Sequence, residues 1–177
     1  MPTSVANPRT EAQQAHRGNF GMISSFSSSM KEAHLVGLHG YAQRKKVSTH
    51  NLFIQLNKDC FTPDGDIDFP RVIVSRGSVE SVKITSASIG YASTGEPQVL
   101  VSFDGRAYGG AATDEFFLFV YSPALCAGRL ATPVPRSSGS VSVIVPEEWL
   151  DKPLHLYAFL RSTPSRTSDT IHLALPM

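Results

Sequence analysis

The sequence lacks the short motifs by which the common enzyme classes are recognised. It contains no Gly-x-Ser-x-Gly turn, no HExxH pair, no phosphate-binding loop and no glycine fingerprint for dinucleotides. Its six histidines are scattered, and His34 and His39 are five residues apart, so they do not share one helix face. We therefore expect no catalytic residues, no metal site and no cofactor, and we predict that the protein is not an enzyme.

Cysteine is scarce as well. Cys60 and Cys126 are the two cysteines of the chain, and their separation matches no metal-binding or redox motif. We expect both side chains to be buried free thiols.

Long apolar runs are missing too. No stretch approaches the roughly 20 apolar residues that a membrane-spanning helix requires, and the first residues do not read as a secretory signal. We expect no membrane span. The location stays open, with a virion or a host cytoplasm as the expected settings.

Neither sign of charge predominates overall, since the formal net charge is +1. We therefore do not expect nucleic acid as a partner. The charge is nevertheless uneven. Through Phe61 the chain has seven basic and three acidic residues, whereas the remainder has nine basic and twelve acidic residues. This difference fits a basic arm that docks on an acidic neighbour, and it equally fits the solvated face of ordinary helices.

What the sequence does contain is most regular between Ser140 and Ser162. Valines at 141, 143 and 145 alternate with serines, and a second strand from Leu154 to Arg161 is apolar on both faces, which is typical of a central strand. Trp149 lies between the two strands and is predicted to cap the end of the core. Tyr157 is predicted to bond back to the chain through its hydroxyl group, as a tyrosine often does in sandwich domains.

Period-two alternation begins at Arg71 and continues to the end of the chain. It predicts seven strands over residues 72–75, 81–87, 98–103, 115–121, 140–145, 154–161 and 170–175. Seven short strands with turn residues between them indicate an immunoglobulin-like or fibronectin-like antiparallel β-sandwich. The long loops over 104–113 and 122–139 are the expected contact regions, and Tyr108 in the first loop is a candidate interaction residue.

Helical spacing characterises residues 1–61 instead. Asn7-Pro8 predicts the start of a first helix, Met22 and Phe26 belong to its apolar stripe, and a second helix is predicted over 31–46. Gly37 and Gly40 are expected to admit another backbone at close range. A third helix is predicted to start after Ser48 or Thr49.

We therefore predict an α+β protein with two units, a helical arm over residues 1–61 and a β-sandwich domain over 62–177 that folds independently. The arm is rich in glycine and serine, so its helices need a packing partner. Met22 and Phe26 are candidate contact residues for that partner.

The helical arm also contains the basic run Arg44-Lys45-Lys46, which has two interpretations. Cations at the end of a helix stabilise its dipole, and the same cations can orient an acidic partner.

A second short pattern, Asp64, Asp66 and Asp68, is similar to the start of a calcium loop but lacks its glycine and its distal glutamate. A plain linker turn is the alternative.

The chain also resembles a known but uncharacterised family of domains from Bacteroidetes and their phages. The residues that carry the resemblance span nearly the whole chain: Asn7-Pro8-Arg9-Thr10, Arg17, Phe20, Tyr41-Ala42, 72–77, Trp149 and 154–159. The resemblance implies N-terminal helices followed by a C-terminal β-domain, and it implies no activity and no functional residues.

Two functions are compatible with these features. The first is a non-enzymatic structural or interaction protein, such as a component of a phage virion or of a cell surface, which binds protein partners or itself through the helical arm. The alternative is a carbohydrate- or ligand-binding module that uses Trp149, Tyr108 and the long loops. A sugar surface of Trp149, Tyr157 and Tyr121 has a structural alternative, because aromatic residues also flank sandwich cores.

Overall fold

Short helices precede a series of strands in the computed structural model, which describes residues 21–62, 65–106 and 110–176. The described helices are residues 21–29 (α1), Lys31–Gly37 (α2), His39–Lys45 (α3) and Thr49–Asn57 (α4). The described strands are Ile84–Tyr91 (β1), Pro97–Phe103 (β2), Glu115–Ser122 (β3), Ala127–Leu130 (β4), Val134–Pro135 (β5), Ser140–Ile144 (β6), Leu154–Thr163 (β7), Arg166–Thr167 (β8) and Ile171–Leu175 (β9). Single 3-10 turns lie at Lys58–Cys60, Phe69–Arg71, Arg136–Ser138 and Glu147–Trp149.

The strands form two antiparallel sheets. The small sheet has the order β1-β2-β6, and the large sheet has the order β4-β3-β7-β8, with β5 also paired to β3 and β9 also paired to β7. Seven of these strands have four or more residues, namely β1, β2, β3, β4, β6, β7 and β9. In chain order the first, second and fifth of them (β1, β2 and β6) form the small sheet, and the third, sixth and seventh (β3, β7 and β9) pair in the large sheet. That distribution is the immunoglobulin-like one, and β4 beside β3 gives its fibronectin-like variant. The predicted α+β fold with an antiparallel β-sandwich is confirmed.

The first core lies between the two sheets, and we call it the sandwich core. Alternate residues of β2 and β6, such as Val99 and Val143, face alternate residues of β3 and β7, such as Leu118 and Leu156. Trp149 is 2% exposed and closes the same core from the turn between β6 and β7. These two consecutive strands belong to different sheets, because the turn carries the chain across the sandwich.

A second core covers the opposite face of the large sheet, and we call it the helix-side core. The other alternate residues of β3 and β7 point away from the sandwich and contact the helices and the segment after them. The buried members are Phe26, Met30, Ala33, Leu38, Ala42, Leu52, Phe53, Cys60, Val72, Val74, Phe117, Phe119, Tyr121, Tyr157 and Phe159. The large sheet is therefore buried on both faces, as the apolar character of both faces of β3 and β7 predicts.

The helix predicted over 31–46 is divided, whereas the predicted start of the first helix at Asn7-Pro8 lies outside the described residues. The stretch 31–46 forms two seven-residue helices that are separated at Leu38, although backbone bonds across Leu38 keep them nearly continuous. Ser48 caps α4 by accepting a hydrogen bond of 3.1 Å from the backbone N–H of Asn51, as predicted.

The predicted close approaches at the two helical glycines are confirmed. A Cβ atom on Gly37 would overlap the carbonyl oxygen of Val74, and one on Gly40 would overlap the backbone of Ser165. Glycine at these two positions is what lets the helices lie directly on the segment after the 3-10 turn at Phe69 and on the β7–β8 turn.

The predicted strand over 72–75 is wrong, because side chains replace its ladder. Asn57 accepts a bond of 2.7 Å from the N–H of Ile73 and donates one of 3.0 Å to the Ile73 carbonyl group. The hydroxyl oxygen of Thr170 accepts bonds from the N–H groups of Val74 and Ser75 at 3.0 and 2.8 Å. Backbone groups that are satisfied in this way do not need a neighbouring strand.

The two units predicted from the sequence, residues 1–61 and 62–177, both contribute to the helix-side core. Phe53 of α4 and Phe159 of β7 are each fully buried within it. The boundary at residue 61 stays a prediction, and the contact between the units gives a direct way to test it.

Candidate functional site

Exposed basic residues gather at the end of α3, beside the turn between β7 and β8. The guanidinium carbon of Arg44 and the Nζ atom of Lys45 lie 5.6 and 5.8 Å from the centre of the Tyr41 ring. Cations at this distance are attracted to the face of an aromatic ring. Lys46 follows in the left-handed conformation that ends the helix. We refer to Tyr41, Arg44, Lys45 and Lys46 as the basic patch.

The basic patch is held in place by the sandwich. Arg44 Nη1 donates a hydrogen bond of 3.3 Å to the carbonyl oxygen of Ser165, and the backbone of Ser165 also lies against Gly40. Arg166 follows Ser165 and is exposed, but it lines a different cavity, together with Glu80 and Asp114. Within the described part of the chain the five ion pairs all involve other residues, so the cations of the basic patch are not neutralised by a carboxylate.

The two apolar candidates, Met22 and Phe26, have different positions. Phe26 is 5% exposed, and its ring contacts the rings of Phe53, Phe61, Phe69 and Tyr121, so its surface is used inside the protein. Met22 is 37% exposed at the rim of a cavity of about 490 Å³. The cavity lies between α1, the segment around Ile67 and the end of β3, and its lining is mostly apolar.

Cys126 lines the same cavity and is exposed, so the expectation that both cysteines are buried is wrong for this residue. It lies in the short turn between β3 and β4 with φ at 48°, and it lines the cavity together with Phe26 and Tyr121. Cys60 is buried as expected, and burial raises the pKa of its thiol.

A polar cluster that the sequence did not predict lies between α1, α2 and α4. The Oγ atom of Ser27 is 2.8 Å from Nδ1 of His50 and 3.3 Å from Nε2 of His34, and the same Nε2 donates to the Ser27 carbonyl oxygen at 3.0 Å. Burial lowers the pKa of His34 to about 4, partly opposed by that bond to Ser27. Ser27 is fully buried, so its hydroxyl group positions the two histidines and is not accessible to a substrate.

A second histidine pair links neighbouring strands of the large sheet. Nδ1 of His155 on β7 lies 2.9 Å from Nε2 of His172 on β9, and the Phe69 ring stacks on His155 at 4.1 Å. Burial lowers the pKa of His155 to about 4 and also lowers the pKa of His172. At neutral pH both rings are uncharged and share one hydrogen bond. The period-two pattern places both residues on the same face of the sheet, so their proximity could have been predicted from the sequence once β7 and β9 were paired.

The segment 122–139, predicted as a long loop, contains β4 and β5, and its end is tied to the residues that precede β3. Arg136, which follows β5, is 1% exposed, and its Nη1 atom lies 3.7 Å from Oδ2 of Asp114, which is 3% exposed. The backbone N–H of Arg136 donates to the Asp114 carbonyl oxygen at 2.6 Å, and the N–H of Ser137 donates to the Ala112 carbonyl oxygen at 3.0 Å. Tyr108, the candidate residue in the first loop, lies outside the described residues.

Trp149 and Tyr157 contribute no surface to a ligand. Trp149 is buried in the sandwich core, and Tyr157 is fully buried in the helix-side core with its hydroxyl group donating to the Phe69 carbonyl oxygen at 3.1 Å. Tyr121, the third aromatic residue considered for a sugar surface, is 3% exposed. These three side chains therefore hold the cores together and offer no platform for a sugar ring.

The ranges 21–62, 65–106 and 110–176 contain no group of three or more His, Cys, Asp or Glu side chains that could hold a metal ion. Asp64 of the calcium-like pattern falls in the gap between the first two ranges. No helix of these ranges has the length and apolar character to cross a membrane.

Comparisons with known proteins gave one family profile and a distant structural similarity. The profile of a protein family that is described as a family of unknown function (DUF6266) matches residues 1–174. No curated protein matches the sequence. One similar solved structure is the crystal structure of chicken CNTN1 FN1-FN3 domains, with a TM-score of 0.35 and 12% sequence identity. That match covers 53% of this chain and 30% of the chicken chain.

Proposed function

The chain belongs to the family of unknown function DUF6266, and we propose that it is a non-enzymatic interaction protein that binds an acidic protein surface through its basic patch. The observation that carries this proposal is the set of exposed cations at Arg44, Lys45 and Lys46, none of which forms an ion pair within the described residues. Cations of this kind attract a partner of opposite charge and orient it during association.

The composition of the basic patch supports a protein as the partner. Tyrosine and arginine are the residue types that most often dominate the binding energy of protein interfaces, and Tyr41 and Arg44 are adjacent in this patch. A nucleic-acid surface would require more cations with several exposed aromatic rings between them.

The basic patch also lies on a rigid part of the protein. The bond from Arg44 to Ser165 and the contact of Gly40 with the same residue fix the end of α3 to the β7–β8 turn. A fixed site loses less conformational entropy on binding than a mobile one. Most apolar side chains of the helices are buried against the large sheet, whereas the charged groups of the basic patch are exposed and available to a partner. Met22 and Leu35 are also exposed.

We propose further that the complex belongs to a larger assembly, such as a phage virion or a cell surface. This setting rests on the resemblance of the sequence to domains of Bacteroidetes and their phages. If this setting is correct, the partner should be a structural protein of the same particle or surface.

The experiment compares two variants with equal net charge. The patch variant carries Arg44→Glu, Lys45→Glu and Lys46→Glu, and the control variant carries the same changes at the exposed residues Lys58, Arg76 and Lys83. Proteins that co-purify with the chain from cells that produce it are identified by mass spectrometry. Direct binding is then measured with the purified partner at several salt concentrations.

We expect an acidic partner that binds the wild type and the control variant, is lost from the patch variant, and binds more weakly as salt increases. Equal binding by both variants would contradict the proposal, as would binding that does not change with salt.

A further inference from the structure

The small sheet has a free edge at β1, which is longer than every other described strand at an edge of the sandwich. Strand β1 pairs with β2 on one side, and no described strand pairs with its other side. Its eight residues, ITSASIGY, include no charged residue and no proline. An edge strand presents unpaired N–H and C=O groups, and natural proteins usually protect such an edge with charge, proline, short length or a cover.

The remaining edges show that protection. At β4, which has four residues, the N–H of Leu130 donates to Glu32 Oε2 at 3.3 Å, so α2 covers the edge. At β6, which has five residues, the Ile144 carbonyl oxygen accepts a bond of 3.2 Å from Arg129. Strands β8 and β9 have two and five residues, so both are shorter than β1. Only β1, among the described strands at an edge, is both long and uncovered.

We propose that β1 pairs with β1 of a second copy of this chain, in antiparallel orientation, so that two small sheets join into one. A two-fold axis through Ser88 would place Ser88 opposite itself, Ser86 opposite Gly90, and Ala87 opposite Ile89. Facing residues in such a pair lie on the same side of the sheet. The exposed side would then contain serine and glycine, and the core side would contain alanine and isoleucine.

The side chains of β1 match this arrangement. Ala87 and Ile89 face the sandwich core but are only half-buried, because the core ends at this edge. A second copy would cover them. Any charge on a self-pairing strand comes close to the same charge on its partner, which destabilises the pair, and β1 has none.

Gly90 supplies an independent observation. A Cβ atom at this position would have nothing within 4 Å, and the residue does not have the positive φ that favours glycine. The described monomer therefore gives no reason for glycine at this position. Close approach of another backbone is a common reason for glycine inside a strand.

One irregularity defines the length of the pairing segment. The register between β1 and β2 shifts between Ile84 and Ser86 and is then unbroken from Ser86 to Tyr91. About an axis at Ser88 the regular pairing runs from Ser86 to Gly90, because Tyr91 would face Thr85 in the irregular part. Five residues from each copy bury a small area, so the dimer should be weak and should form as the concentration rises. This inference does not depend on the basic patch, because it needs no other protein.

The test uses the purified full chain in sedimentation experiments over the widest range of concentration at which it stays soluble. Ser88→Lys places a charge on the exposed face of β1, and Ser142→Lys is the matched control. Ser88 and Ser142 are both exposed and both flank Leu100, in one row across the small sheet. Thermal unfolding of each variant verifies that it is folded.

We expect the wild type and Ser142→Lys to dimerise equally and Ser88→Lys to dimerise about tenfold more weakly, because two lysines would face each other. An equimolar mixture of Ser88→Lys and Ser88→Glu should recover the dimer as a mixed pair. A wild type that is monomeric at every concentration would overturn the inference. So would equal weakening by Ser88→Lys and Ser142→Lys, or a mixture that stays monomeric.

Discussion

The two cores of this protein share strands β3 and β7 but are filled by different kinds of side chain. The sandwich core is mostly aliphatic, with valines and leucines from both sheets. In the helix-side core, the large sheet supplies the rings of Phe117, Phe119, Tyr121, Tyr157 and Phe159, whereas α2 and α3 supply small residues. Those small residues are Ala33, Gly37, Gly40 and Ala42.

This difference explains how short helices with weak propensity remain ordered. Helices of seven residues are too short to be stable alone in water. Gly37 and Gly40 let α2 and α3 approach the segment 74–75 and the β7–β8 turn closely. The aromatic rings of the large sheet, together with Phe26 and Phe53 of the helices, provide buried area that helps to hold the helices in place.

The largest expected losses of stability come from substitutions at two adjacent residues of β3, the strand that lies between the two cores. Leu118 faces the sandwich core, Phe119 faces the helix-side core, and both are fully buried. Leu118→Ala should lower the free energy of unfolding by about 2–5 kcal/mol and Phe119→Ala by about 3–5 kcal/mol. Chemical denaturation measures both. A loss below about 1 kcal/mol for Phe119→Ala would show that the helices pack loosely on the large sheet, and the contrast between the two cores would then fail.

A smaller effect is expected where a helix contacts the β7–β8 turn. Gly40→Ala should destabilise the protein by about 1–3 kcal/mol, since the added methyl group overlaps the Ser165 backbone. Gly21→Ala is the control, because a Cβ atom there meets nothing within 4 Å and the residue is helical. This control should stabilise the protein by about 0.5–1 kcal/mol. Thermal melting of the two variants in parallel gives the answer, and equal melting temperatures would contradict the close packing of α3 on the turn.

The hydroxyl group of Tyr157 should contribute less. Tyr157→Phe removes the bond to the Phe69 carbonyl oxygen and should cost about 1 kcal/mol. Tyr91→Phe, at a residue that is 60% exposed, should leave stability unchanged. If the two variants unfold at the same denaturant concentration, the bond to Phe69 does not help to hold the 3-10 turn at Phe69–Arg71 against the sheet.

Titration of the histidines should leave the stability independent of pH near neutrality and should lower it progressively in acid. The folded-state pKa values of His34 and His155 are about 4, below the unfolded value of 6.5, so the unfolded chain binds protons first as the pH falls. The stability that these histidines maintain is present above pH 6.5 and is lost between pH 6.5 and about 4.

Denaturant unfolding at several pH values measures this loss. The groups that face His34 are Ser27, His50 and Lys31, and His172 faces His155. The double variant His155→Gln, His172→Gln should flatten the pH dependence over this range. An unchanged slope would mean that the histidine pair on the large sheet does not titrate between pH 6.5 and about 4.

The sequence was sufficient for most of the sandwich because alternation directly reports which face of a strand is buried. It predicted the positions of β2, β3, β6, β7 and β9 to within about two residues, consistent with the usual uncertainty of element boundaries. Strand β4 was missed because Ala127-Gly128-Arg129-Leu130 is short and contains a glycine, which is needed since a Cβ atom there would overlap the Phe119 ring.

The candidate site was less accessible from the sequence. The run Arg44-Lys45-Lys46 marked an exposed cluster, but no pattern could show that Tyr41 and Ser165 fix it in place. An amphipathic stripe has the same spacing whether it faces a partner or the protein's own sheet, so Phe26 could not be assigned to the interior before its neighbours were known.

Hydrogen exchange of the full chain under native conditions tests most directly whether the two cores form one cooperative unit. The amides to compare are those of Leu52 and Phe53 in α4 with those of Val99 and Val101 in β2, which are buried in different cores. The sequence predicts that residues 62–177 fold independently, but the two cores share strands β3 and β7. We therefore predict that both sets exchange with the same free energy of opening and the same dependence on denaturant. If the amides of α4 exchange through a smaller opening while those of β2 stay protected, residues 1–61 and 62–177 unfold separately, and the two cores do not form one cooperative unit.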